Sequence, residues 1–226
     1  MGSHTPTTHI PPSGDDEPLS GPLPTVNSFA AVAKLLVPNA YGGVDHGTGW
    51  LVGPSTVITA AHCIYDRERR RARHVEVRLR EQRTHAVKFN IPSAWTETPN
   101  PSPRYDYGAI SLAAPLIAPH EILLPAAYLS TRLHGQHALV LGFGTGQKLH
   151  WRPQTIDSAP GSPGRLKYGL EMETGDSGAP VIIQTHSGPK AVGIHIGETY
   201  ANGTCVHITR KVLANILLWV SHDSYR

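Results

Sequence analysis

The stretch of sequence that says most about the fold is Gly175-Asp176-Ser177-Gly178-Ala179-Pro180-Val181. Glycines flank an Asp-Ser pair, a pattern typical of a loop, and the apolar run Val181-Ile182-Ile183 that follows predicts a buried strand. The run 191–194 predicts another strand close behind it. A serine in such a loop is by itself weak support for a reactive group, so its meaning depends on the rest of the chain.

Short apolar segments continue this pattern upstream of the loop. Residues 57–61, 75–79 and 138–141 are strand-like, the second of them by clean alternation of apolar and polar positions. Two Pro-rich segments, 92–103 and 153–163, predict loops. Near the C-terminus, Val212, Ile216 and Trp219 recur at helical spacing. The pattern predicts an all-β sandwich or pair of barrels with a closing helix.

Composition excludes several classes of protein. The chain has 226 residues with 22 Gly and 20 Pro, and its 39% apolar content is enough to bury a core. No apolar stretch approaches the ~18 residues that a membrane helix needs, so we expect no membrane partner. A net charge of +3 is too weak to predict a nucleic-acid partner. Residues 1–26, rich in Pro and Gly, are expected to form a flexible arm.

Two further segments supply the groups that would activate a serine. The first contains Thr59-Ala60-Ala61-His62-Cys63, and the second is Tyr105-Asp106-Tyr107-Gly108-Ala109-Ile110. A serine hydroxyl is a poor nucleophile at neutral pH, so an imidazole must take its proton and a carboxylate must orient that imidazole. The order His62, Asp106, Ser177 distinguishes one of the three unrelated folds that share this triad. An α/β-hydrolase pattern fails because Ala179 stands where a glycine is needed.

These motifs resemble the trypsin/chymotrypsin-like serine endopeptidases, and residues 62–66 and 106–110 are most similar to bacterial glutamyl endopeptidases. The resemblance implies two six-stranded antiparallel β-barrels: residues 27–118 carrying His62 and Asp106, and residues 119–226 carrying Ser177 and the C-terminal helix. By the same resemblance His62 is the general base, Asp106 its orienting partner and Ser177 the nucleophile. The backbone N–H groups of Gly175 and Ser177 would form the oxyanion hole, and an extended peptide or protein substrate would lie between the barrels.

No cofactor or metal is expected, because the sequence lacks a His-Glu-x-x-His motif and the pair His134 and His137 is more typical of a surface loop. The oligomeric state stays open. A binding module that kept the protease fold but lost turnover is the alternative from another class. The intact triad together with Gly175 argues against that alternative.

The substrate specificity that the resemblance implies is contradictory. His195 lies where glutamyl endopeptidases place a histidine that binds the substrate's glutamate, and an imidazole can donate a hydrogen bond to a carboxylate. Glu171 lies six residues before Ser177, where trypsin-like enzymes place the acid that selects Lys or Arg, and Met172 replaces the small hydroxyl residue usual in glutamyl endopeptidases. We favour an acidic residue before the cleaved bond, with a basic residue as the alternative.

Asp176 raises the question of activation. In trypsin-like zymogens the corresponding aspartate pairs with a newly cut N-terminal ammonium, yet no Lys or Arg occurs before Lys34. Either another protease trims the chain or Asp176 finds an internal cation, for which Arg165 is a candidate. A buried carboxylate needs some partner, because leaving it unpaired is costly.

The two cysteines, Cys63 and Cys205, are expected to remain free, since Gly47 stands where the family usually has the partner of Cys63. Free thiols favour an intracellular location or a domain of a larger protein over a secreted one, although Asn202-Gly203-Thr204 matches a glycosylation acceptor. The basic run between Arg67 and Arg73 is most simply explained as a solvated loop.

Overall fold

The computed structural model describes residues 17–19, 30–69, 71–116, 121–146, 148–157, 163–169, 173–199 and 202–223. The predicted arm, residues 1–26, lies outside the described residues except at 17–19. There the N–H of Leu19 donates to the carbonyl of Gln184 at 2.9 Å, and Arg132 pairs with Glu17.

The N-terminal half of the chain forms a closed six-stranded antiparallel barrel, in the order β1-β2-β3-β8-β7-β6, with β4 and β5 as a separate hairpin. Its strands are β1 (Val32–Pro38), β2 (Val44–Gly53), β3 (Thr56–Thr59), β4 (Tyr65–Asp66), β5 (Arg71–Ala72), β6 (Glu76–Leu79), β7 (Gln82–Asn90) and β8 (Gly108–Leu112). Its short helical turns are α1 (Ala61–Ile64), α2 (Ser93–Thr96) and a 3-10 turn at Pro103–Tyr105.

The C-terminal half forms a second closed barrel, in the order β10-β11-β14-β13-β12-β9. A short helix, α3 (Ser130–Leu133), comes before its strands, which are β9 (His137–Gly142), β10 (His150–Asp157), β11 (Arg165–Tyr168), β12 (Pro180–Thr185), β13 (Gly188–Thr199) and β14 (Asn202–His207). The chain continues into helix α4 (Arg210–Asp223). The predicted fold class, two six-stranded barrels with a C-terminal helix, is therefore confirmed.

Each barrel has its own apolar core, and a third cluster joins them. This third cluster takes Trp50 and Tyr107 from the first barrel, Leu141 and Ile194 from the second, and Ile216 from α4. The carboxylate of Asp223, at the end of α4, accepts hydrogen bonds from two hydroxyls of the first barrel, those of Thr56 and Ser111. The C-terminal helix thus fixes the barrels against each other.

One predicted loop is wrong at its start. The Pro-rich segment expected from residue 153 begins inside β10, where Pro153 pairs with Leu139 of β9. The pairing of β10 with β11 covers only Ile156 and Asp157, so the missing N–H of Pro153 falls where β10 has no second strand beside it among the described residues.

No helix of the described chain is long and apolar enough to cross a membrane.

Candidate active site

His62 is carried by α1, a single helical turn that follows β3. Ala61 and Ile64 are fully buried on this turn, which leaves the His62 side chain 38% exposed at the cleft between the barrels. Asp106 follows the 3-10 turn and is buried, with its Oδ2 2.7 Å from Nδ1 of His62. Its Oδ1 accepts the backbone N–H of His62 at 2.9 Å. The carboxylate therefore fixes both the ring and the backbone that carries it.

The charge state of His62 follows from competing influences. Burial, the largest of them, disfavours the charged ring, but the charges and hydrogen bonds of Cys63 and Asp106 raise the pKa of His62 well above 6.5. A raised pKa makes the imidazole a stronger base for the proton of a nearby hydroxyl.

Ser177 lies in the loop before β12 and faces the same cleft as His62. The backbone N–H of Thr48, from the first barrel, donates to the carbonyl of Ser177 at 2.8 Å and ties this loop across the domain boundary. The cleft has a volume of about 430 Å³. In the part of the chain that the structure describes, the Ser177 hydroxyl and the His62 ring do not hydrogen-bond to each other, a frequent state of such pairs without substrate. The two groups lie in one cavity and are the candidates for nucleophile and base.

Gly175 holds a backbone conformation that favours glycine. Its φ is +103°, and a Cβ there would lie 2.1 Å from the carbonyl oxygen of Gly144. The N–H groups of Gly175 and Ser177 donate to no acceptor among the described residues, and both residues line the cleft. Two unpaired N–H groups of this kind are what a developing oxyanion needs.

His195, in β13, lies in the wall of the cleft and is only 2% exposed. Its Nδ1 is 2.6 Å from the hydroxyl of Tyr168, and its Nε2 has no protein partner among the described residues. Burial lowers the pKa of His195 to about 4, so its ring is neutral at neutral pH. Its free nitrogen can therefore serve as a hydrogen-bond donor when Tyr168 donates to the other.

Tyr168 reaches His195 across an intervening strand. Tyr168 lies in β11, which pairs with β14, and β14 pairs with β13. Gly203 stands opposite Tyr168 in β14, where a Cβ would lie 2.3 Å from the tyrosine ring. The missing side chain at Gly203 leaves the space through which the ring passes. Sequence reasoning did not identify Tyr168, because nothing in the local pattern links it to His195.

Asp176 is fully buried within the loop that contains Ser177. Its carboxylate accepts the backbone N–H groups of Gly144 and Glu173, both at 2.9 Å. It also lies 3.0 Å from Nε2 of His150. The described side-chain partner of Asp176 is therefore His150, which sequence reasoning did not identify, and not the candidate Arg165.

Two predicted specificity residues, Glu171 and Met172, lie outside the described residues. The neighbouring Glu173 lines the cleft and pairs with Arg152 of β10. Across the cleft, Arg73 pairs with Asp45 at 3.0 Å. The charged groups described in the cleft wall are thus matched by partners of opposite sign.

Both cysteines are free thiols, as expected, and they are buried in different barrels. Cys63 lines the cleft, where its Sγ lies 3.6 Å from the carbonyl oxygen of Ser177. Burial raises the pKa of Cys205 to about 12. No group of three or more His, Cys, Asp or Glu side chains that could hold a metal ion is found among the described residues.

The basic run is largely engaged in local contacts. The guanidinium of Arg67 lies 5.4 Å from the centre of the Trp95 ring, and Arg69 pairs with Asp66 at 2.8 Å. Arg70 and the side chain of Arg71 lie outside the described part of the chain. The described arginines of the run, Arg67, Arg69 and Arg73, thus contact neighbouring side chains of the protein.

Comparisons with known proteins agree with this architecture. A family model described as a trypsin-like peptidase domain matches residues 47–194. A glutamyl endopeptidase of Bacillus licheniformis is 31% identical over 76% of this chain, and the chain spans 58% of that protein's length. A Bacillus subtilis protein named extracellular metalloprotease is 27% identical over 92% of this chain and 69% of its own length. A solved structure of a Glu endopeptidase in complex with MPD superposes with a TM-score of 0.73 at 16% identity, covering 92% of this chain and 98% of that one.

Proposed function

Since the chain belongs to the trypsin-like peptidase family, we propose that it is a serine endopeptidase that cleaves extended peptides after glutamate. The observation that carries the hydrolytic activity is the 2.7 Å contact of Asp106 with His62, made in the cleft that also contains Ser177. This is the arrangement that converts a serine hydroxyl into a nucleophile.

The reaction has two halves. Oγ of Ser177 attacks the peptide carbonyl carbon while Nε2 of His62 takes the hydroxyl proton, and the N–H groups of Gly175 and Ser177 hold the resulting oxyanion. His62 then gives that proton to the leaving amine, the C–N bond breaks, and an acyl-enzyme remains. In the second half, water loses a proton to His62 and attacks the ester carbonyl carbon. His62 then returns that proton to Oγ of Ser177 as the ester C–O bond breaks, which releases the acid and restores both residues. Asp106 stabilises the charged ring at each stage.

The preference for glutamate rests on the bond between Tyr168 and His195. When the tyrosine hydroxyl donates to Nδ1, the proton of His195 is carried by Nε2, the nitrogen without a protein partner among the described residues. A neutral imidazole fixed in this way donates a hydrogen bond to a carboxylate in the pocket, and such charge-assisted bonds are the strong ones. The buried ring needs no charge of its own to make this contact.

Two alternatives make different predictions. If the side chain of Glu171 enters the pocket, its carboxylate favours arginine or lysine and repels glutamate. If the chain is a binding module without turnover, Ser177 does not react with a serine-directed probe at all.

A fluorophosphonate probe and a panel of chromogenic peptides test the proposal. We expect the probe to label Ser177 and the Ser177→Ala variant to lose nearly all turnover while it stays folded. The exposed Ser130→Ala is the matched control and should keep full activity. Among peptides that differ only before the cleaved bond, carrying Glu, Gln, Arg or Lys, we expect Glu to be cleaved fastest. Preference for Arg would overturn the specificity, and an unlabelled Ser177 would overturn the activity.

A further inference from the structure

The carboxylate of Asp176 is buried directly beside Ser177. It is 0% exposed and adjoins both Gly175 and Ser177 in the chain. An ionised carboxylate in such a place destabilises the fold unless donors and a positive charge surround it. The groups that surround Asp176 therefore decide which conformation its loop can adopt.

The loop folds around this carboxylate. The N–H of Glu173 donates to Oδ2 of Asp176, while the N–H of Asp176 donates to the carbonyl of Glu173 at 3.0 Å. The N–H of Gly144 donates to Oδ1 at 2.9 Å, and Gly144 is also the residue against which Gly175 packs without room for a Cβ. The contacts of Asp176 thus set the backbone on both sides of the N–H groups of Gly175 and Ser177.

The side-chain partner of Asp176 comes from the second barrel. His150 opens β10 and pairs with Gly142 at the end of β9, so its position is fixed by the barrel. Its Nε2 lies 3.0 Å from Oδ1 and 3.1 Å from Oδ2 of Asp176, and its side chain is 27% exposed. Two residues along the same strand, Arg152 pairs with Glu173 at the start of the loop. Residues on one face of β10 therefore hold the loop at Asp176 and at Glu173.

We propose that His150 is a positioning residue that holds the Gly175–Ser177 loop with its two N–H groups aimed into the cleft. The donors to Asp176 among the described residues all lie within the second barrel. We therefore expect the loop to be competent without an N-terminal ammonium produced by cleavage. This inference rests on the proposed peptidase function, in which those N–H groups bind the oxyanion.

Substitutions at His150 test the proposal through turnover. We expect His150→Ala to lower kcat by about tenfold or more with KM within about twofold, because the oxyanion forms only after the substrate is bound. His150→Gln keeps an N–H donor and should recover part of the lost kcat. The matched control is His134→Ala, which removes an exposed histidine 3.4 Å from Asp157 of the same barrel and should leave kcat unchanged.

Further readouts separate positioning from folding. Melting temperature and active-site titration give the folded fraction of each variant, so that kcat refers to folded enzyme only. A His150→Ala variant with the kcat of the wild-type chain would overturn the proposal. A loss that Gln does not relieve, or that appears equally in KM, would overturn it as well.

An N-terminally extended form of the full chain tests the independence from cleavage. We expect a chain with a non-cleavable extension before Met1, shown by mass spectrometry to be uncut, to have the same kcat as the unextended chain. Activity confined to a trimmed form would overturn the proposal. If neither wild-type form reacts with substrate or probe, the proposed peptidase function is wrong. An active enzyme whose kcat does not change on substitution of His150 is a different result, and it contradicts only the role of His150.

Discussion

Asp106 contacts His62 twice, with Oδ2 2.7 Å from the ring nitrogen Nδ1 and Oδ1 accepting the backbone N–H at 2.9 Å. Because ring and backbone are held by one buried carboxylate, the imidazole keeps its free nitrogen towards the cleft while its charge changes. Asp106 also helps to raise the pKa of His62, so the same contact makes the proposed activity depend on pH.

The pH dependence of activity follows from the raised pKa of His62. Burial opposes the charged ring, but Cys63 and Asp106 raise the pKa well above 6.5, and only the neutral ring can accept the proton of Ser177. We therefore expect kcat/KM to increase with pH and to reach half its plateau above pH 6.5, measured with a peptide whose own groups do not titrate there.

The Cys63→Ala variant provides the comparison for this pH profile. Removing one of the neighbours that raise the pKa of His62 should move the half-maximal pH downwards. A wild-type midpoint below pH 6.5, or a variant midpoint shifted upwards, would contradict the assignment.

Tyr168→Phe should weaken glutamate specificity. Without the hydroxyl 2.6 Å from Nδ1, the proton of His195 is no longer directed to Nε2, and the donor to the substrate carboxylate is partly lost. We expect the ratio of kcat/KM for Glu over Gln peptides to fall by about tenfold, the equivalent of about 1.4 kcal/mol.

Tyr107→Phe is the matched control for this change. The Tyr107 side chain is also buried, and its hydroxyl accepts a hydrogen bond from Asn215 at 2.7 Å, at the contact with α4. The Tyr107→Phe variant should lose about as much stability as the Tyr168→Phe variant but keep the wild-type ratio of kcat/KM for Glu over Gln peptides. Equal ratios in the two variants would show that Tyr168 does not act through His195.

Gly175→Ala should impair turnover far more than a comparable change elsewhere. A Cβ at Gly175 would lie 2.1 Å from the carbonyl oxygen of Gly144, so the loop must shift and its N–H groups move off the oxyanion. We expect a loss in kcat of about 100-fold, measured by steady-state kinetics.

Gly188→Ala separates backbone strain from this collision. Gly188 has a similar φ of +106°, and no atom lies within 4 Å of the point where its Cβ would stand, so alanine costs only conformational strain of about 1 kcal/mol. Its kcat should be that of the wild type. An equal effect at both positions would contradict a specific role for Gly175.

Acid should destabilise the protein through His195. Its pKa is about 4 in the folded state against 6.5 for an ordinary histidine, so the unfolded chain binds the extra proton first. Between pH 6.5 and 4 this lowers the free energy of unfolding by about 1.4 kcal/mol per pH unit, or about 3 kcal/mol altogether. The raised pKa of His62 has its effect above pH 6.5 and does not overlap this window.

Denaturant unfolding at several pH values measures this effect. The difference in stability between wild type and His195→Gln should shrink as the pH falls from 6.5 to 4. The exposed His134→Gln should show no such trend. His207, whose pKa is also lowered by burial, is present in all these proteins and cancels in the comparison. A difference that is constant with pH would rule out the buried neutral state of His195.

The order of His62, Asp106 and Ser177 and the alternating apolar positions of the strands were readable from the sequence, because each depends on a few neighbouring residues. The same holds for α4, whose apolar residues recur at helical spacing over 210–223. The start of β10 could not be predicted from the sequence. A proline is tolerated in a strand only where pairing on one side is absent, and that pairing is known only from the assembled sheet.

The partners of Asp176 and His195 were decided by the tertiary structure alone. His150 precedes Asp176 by 26 residues, and Tyr168 precedes His195 by 27. Both contacts arise from barrel closure, which brings β10 beside the Ser177 loop and lets Tyr168 reach across Gly203. No local pattern contains that information, because strand register and the space left by a glycine are properties of the assembled sheet. The sequence thus identified the candidate groups for the chemistry, and the barrel determined which groups hold them in place.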